Sequence, residues 1–94
     1  MENQEISKLL EKGEYHHSVL QTYIHHFRAL KAITFDYTDE IKNRMLDLDA
    51  KIRILKHYLI DLNNKMLDIK YNGGVMSQKQ KEAIDQFLFK CCSN

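Results

Sequence analysis

Four of the chain's five histidines fall in two doublets, His16-His17 and His25-His26. Imidazole is a common metal ligand and the side chain that titrates nearest neutral pH. A metal held on one helix needs ligands three or four positions apart, so that they project from adjacent turns. The doublets lie eight to ten positions apart. That is about 12–15 Å along a helix rising ~1.5 Å per residue, too far for one ion to bridge. Glu14-x-x-His17 does have the carboxylate–histidine spacing of di-iron bundles, but it occurs once, and a second chain would have to bring further carboxylates. No metal and no cofactor are therefore expected, with Glu14 and His17 the residues to inspect first. The histidines read as surface or interface groups whose titration would make association pH-sensitive.

Cys91 and Cys92 are neighbours and cannot staple distant segments together. Cys91 stands four from the end, where prenylation signals sit, but the following positions are not aliphatic and no polybasic run precedes it. Neither a leader, an Asn-x-Ser/Thr site nor an apolar run of about 18 residues is found, so the expectation is a cytoplasmic protein without a membrane span. Enzyme signatures are missing as well: Gly73-Gly74 stands alone rather than in a phosphate loop, and there is no nucleophile elbow. The chain is not expected to be an enzyme.

A net charge of +1 gives no broad electrostatic reason to bind nucleic acid. The basic residues from Lys42 to Lys65 are interrupted by Asp47, Asp49 and Asp61, as on a solvated helix face. Lys42, Arg44 and Lys51 would make an anion site only by meeting across a two-fold axis.

The elements that position these groups are helical. Proline, the residue that stops helices, does not occur. Between positions 38 and 71, Ile41, Met45, Leu48, Ile52, Leu55, Leu59, Leu62, Met66 and Ile69 recur at alternating steps of four and three. This is a heptad seam facing one neighbour throughout, on a rod about 50 Å long at ~1.5 Å per residue. Asp36 or Thr38 can cap its start, and Asn72-Gly73-Gly74 can end it. A first helix is expected over about 3–33, with Ile6, Leu9, Leu20, Ile24, Phe27 and Leu30 on one side. A kink is expected near Gly13, where glycine costs about 1 kcal/mol against alanine. Thr34 to Tyr37 make the turn. Ser77-x-x-Gln80 matches a capping box opening a third helix over about 77–92.

Charge placement predicts an antiparallel hairpin. Glu2, Glu5, Glu11 and Glu14 would lie near Lys65 and Lys70, and Arg28 and Lys31 near Asp36, Asp39, Glu40, Asp47 and Asp49. A parallel zipper would set Lys51 against Lys56 and Lys65 against Lys70, which disfavours it. The expected architecture is thus all-α, one domain over residues 1–94. A long heptad-patterned helix forms a hairpin with the first, a short C-terminal helix folds back, and a second copy completes a dimeric bundle. Such a chain should act as a protein–protein interaction module (an adaptor, chaperone or regulator) through the seam and through Tyr58 at its flank. The alternative is a small inhibitor, of the phage or mobile-element kind, sequestering a host protein or a small nucleotide between subunits.

Overall fold

The computed structural model describes residues 2–33 and 38–92, without the side chains of Ile33 and Cys92. The anticipated turn over Thr34 to Tyr37, the Asp36 cap, and the end of the chain after position 92 lie outside the described residues. Three α-helices make up the fold: α1 over Gln4–Ile33, α2 over Asp39–Tyr71 and α3 over Gln78–Cys92. No strand occurs among the described residues. The molecule measures 56 × 17 × 16 Å, so it is a rod only two helices thick in any direction.

Each boundary has a local cause. The Thr38 hydroxyl accepts a hydrogen bond from the Ile41 amide at 3.3 Å, satisfying one orphan donor of α2. Asp39 and Glu40 add negative charge at the positive end of that helix. At the other end the Asn72 amide donates to Asp68 and the Gly74 amide to Ile69, while Gly73 turns the chain with φ +88°. Only glycine adopts that left-handed conformation without a Cβ penalty. In α3 both halves of the capping box are formed. Gln80 N–H donates to Ser77 Oγ at 3.2 Å, and Ser77 N–H donates to Gln80 Oε1 at 3.3 Å.

α1 and α2 lie side by side, with His16 against Tyr58 and Tyr23 beneath Lys51. These pairs descend along one chain as they ascend along the other, so the hairpin is antiparallel. α3 returns along the groove between the two helices, covering only the end remote from the turn. There Ile6, Met66, Ile84 and Phe87 are fully buried, with Leu9, Leu62 and Met76 around them. Gln80, itself buried, fastens α3 to the start of α1. Its Oε1 accepts from the Asn3 amide at 2.8 Å, and its Nε2 donates to the Asn3 carbonyl at 2.8 Å and to Ser7 Oγ at 2.9 Å. A buried amide with all its groups bonded is specific to one geometry, because any slip leaves a donor or acceptor unmet.

α1 runs as one helix through Gly13. The glycine is a packing residue: a Cβ on it would stand 2.6 Å from Phe87 Cζ, so the missing methyl is what lets the ring lie on the α1 backbone. The charges follow the expected placement only in part: Arg28, Lys31 and Asp49 do border one cleft, but the ion pairs join other partners. Glu14 accepts from Lys90 of α3 at 2.8 Å, and Lys70 donates to Asp85 of α3 at 2.6 Å. Glu40, Asp47 and Asp49 pair within α2, with Arg44, Lys51 and Arg53 one turn on. Pairs four apart on one helix form with little ordering of the chain, so they outcompete pairs across a groove.

Candidate functional site

The seam of α2 divides along its length. Ile52, Leu59, Leu62 and Met66 are buried. Ile41, Met45, Leu48, Leu55, Tyr58 and Ile69 are only half-buried. The difference follows from α3. Near Met66, α1 closes one side of the seam and Ile84 and Phe87 help close the other. Among the described residues only α1 packs on α2 near Met45, and its own Ile24, Phe27 and Leu30 are half-buried in turn. Two helices meeting along a line cannot enclose the side chains between them, so a strip of apolar surface remains on each flank.

One flank carries Tyr23, Leu30, Leu48 and Tyr58. A cleft of about 390 Å³ opens on it between Leu30 and Leu48, edged by His26, Arg44 and Asp47. The Tyr58 ring packs on His16 at 4.5 Å, and His16 Nδ1–H donates to the Lys12 carbonyl at 2.7 Å. Lys51 is drawn to Asp47 at 2.9 Å, which raises its pKa, and sits 5.7 Å over the Tyr23 ring. Arg44 meets Glu40 at 3.5 Å. Charges on this flank are therefore largely compensated within the chain.

The opposite flank is the one α3 occupies farther along. Its clefts follow each other toward the turn: one beside Cys91 and His17, a second between Gln21 and Ile52, and a third between Phe27 and Leu46. Leu46 and Ile60, exposed at 67% and 52%, form its outer rim. Two polar atoms buried along it, Gln21 Nε2 and Asn63 Oδ1, have no hydrogen-bond partner.

Of the residues singled out for anion binding, Arg44 and Lys51 lie on the tyrosine flank, whereas Lys42 lies on the other, beside Met45 and Leu46. One chain does not gather the three. Their spacing explains this, since Lys42 and Arg44 are two positions apart and project from opposite sides of a helix. The basic group the fold does assemble is Arg28, Lys31 and Lys56, around Gln21. Its signal in the sequence was a second row on α1, beside the apolar stripe, that periodicity of hydrophobic residues alone does not display.

Glu14 and His17 are separated in role. Glu14 is engaged by Lys90, and His17 is buried with its ring edge-on to Phe87 at 6.3 Å. Burial, then the nearby Lys90 charge, lowers the His17 pKa below 6.5. Among the described residues no group of three or more His, Cys, Asp or Glu side chains converges as a metal would require. Nor, among them, is any helix long and apolar enough to cross a membrane. Cys91 is half-buried against the core at the end of α3.

No family model, curated protein or solved structure matches this chain.

Proposed function

We propose that the protein is a non-enzymatic helical interaction module that pairs its apolar helix face with other chains, beginning with a second copy of itself. The supporting observation is the seam left half-covered from Ile41 to Leu48, at the end of the rod that α3 does not reach. Apolar side chains in a strip of this kind gain about 25 cal/mol for each Å² removed from water, and another helical layer is the simplest way to remove it. The tyrosine flank suits self-pairing. Its ion pairs are internal, so a two-fold axis would not set uncompensated like charges against each other. Tyr23 and Tyr58 offer large, stiff, amphipathic surfaces of the kind that dominate interfaces.

Light scattering and sedimentation test the reading. A dimer is expected at tens of micromolar protein, and Leu48→Glu, at a half-buried position, should return a folded monomer. A wild-type chain that stays strictly monomeric at that concentration would remove self-pairing. A dimer indifferent to Leu48→Glu would move it off this flank.

A further inference from the structure

The groove that receives α3 continues past the end of α3. On α1 a single row at alternating steps of four and three runs from Asn3 to Lys31. Its early members all meet α3: Asn3 and Ser7 through Gln80, Glu14 through Lys90, His17 through Phe87. Its later members, Gln21, Ile24, Arg28 and Lys31, line a cleft of about 310 Å³ to which α3 contributes nothing. On α2 the facing row is Lys70, Asn63, Lys56, Asp49 and Lys42, at steps of seven. Lys70 is bound to Asp85 of α3, Asn63 and Lys56 share a cleft with Cys91, and the last two border open groove. One uninterrupted helix-binding surface is therefore filled over half its length.

Charge distinguishes the two halves. Where α3 lies, charges of the rows meet opposite charges on it: Lys70 meets Asp85, and Glu14 meets Lys90. In the open half the groove is bordered by Arg28, Lys56 and Lys42, and the one carboxylate among the described residues lining it is Asp49, which already accepts from Arg53 at 3.1 Å. Between these rims the floor is apolar, formed by Ile24, Phe27, Met45 and Ile52. Gln21 Nε2, buried and unpaired, adds a donor that only an acceptor on the occupant would satisfy.

We infer that this open half docks an amphipathic helix of a partner protein, in line with α3, whose apolar stripe is flanked by glutamate or aspartate. The stretch from Gln21 to Lys31 spans about 15 Å at ~1.5 Å per residue, room for roughly three turns. A second copy is the poorer occupant, because self-pairing across this groove would bring the cations Arg28, Lys42 and Lys56 face to face with their own copies. The inference rests on the interaction-module reading and adds the place and the chemistry of the partner.

The test uses the full chain, isotope-labelled, and two synthetic helical peptides of about fourteen residues sharing one leucine stripe, flanked by glutamate in one and by lysine in the other. The glutamate peptide should shift the amides of residues 21–31 and 42–56. Reversal of two exposed rim charges, Arg28→Glu with Lys56→Glu, should weaken it at least about tenfold and hand the preference to the lysine peptide. The dimer expected on the tyrosine flank should be unaffected by that double variant. Absence of binding by either peptide up to about 1 mM, with the dimer intact, overturns the groove assignment and leaves the interaction module standing. Equal binding of both peptides overturns the acidic partner. A dimer that the double variant breaks assigns the groove to a second copy instead. A strict monomer that also binds neither peptide removes both readings.

Discussion

The two ends of the rod use the same helices to different effect. At the end remote from the turn a third helix completes the core, two ion pairs tie it to the others, and a buried glutamine makes three hydrogen bonds to Asn3 and Ser7. At the turn end, among the described residues, two helices pack on each other, side chains such as Phe27, Met45 and Leu48 are half-buried, and Glu40, Asp47 and Asp49 form ion pairs along α2. The lesson is geometric. A pair of helices makes a line of contact and three make an enclosure, so the amphipathic pattern that closes a core at one end leaves a binding surface at the other.

The sharpest way to break that contrast is to make one substitution at both ends. Met66→Ala, at a fully buried position, should cost about 2–5 kcal/mol, and Met45→Ala, at a half-buried one, less than about 1 kcal/mol, in chemical denaturation of the monomer. Equal losses would mean the turn end is as well packed as the other. Gly13→Ala is expected to have a smaller effect, a loss of about 1–3 kcal/mol from the clash with Phe87, although in an open helix alanine would gain about 1 kcal/mol. A rise in Tm would show that the ring can swing aside; the double variant Gly13→Ala/Phe87→Leu should recover part of the loss.

The smallest effect concerns His17 and only the three-helix end. Burial first, then Lys90, lowers its pKa in the folded chain below 6.5, while Glu14 acts the other way. The unfolded chain therefore binds the proton more readily than the folded one. Stability from this group is complete above pH 6.5, falls as pH drops below it, and levels off under the folded-state pKa. Denaturation midpoints across that window check this, and His17→Gln should flatten the slope. A midpoint that rises on acidification would contradict the burial of the neutral ring.

The all-helical fold is legible in the sequence because its signals are local. A missing proline, the Thr38 cap, the Ser77-x-x-Gln80 box and the glycines after Tyr71 each act within a few residues. What is not legible is which groove α3 takes, because that depends on residues far apart in the chain. Gly13 reads as a weak point until Phe87 is placed on it, and Glu14 reads as a partner for Lys65 or Lys70 until Lys90 arrives. The same blindness hid the basic rim. Arg28 and Lys56 become neighbours of a common cleft only when the hairpin closes, whereas Lys42 falls on the flank opposite Arg44 and Lys51 although the three are close in number.

The clasp between Asn3 and Gln80 joins positions 77 apart. During synthesis the hairpin of α1 and α2 can assemble early from nearby segments, but the start of α1 stays unlatched until Gln80 has left the ribosome. The rod's best-packed end is thus the last to be sealed, and a nascent chain stalled before α3 would carry the whole length of the groove uncovered.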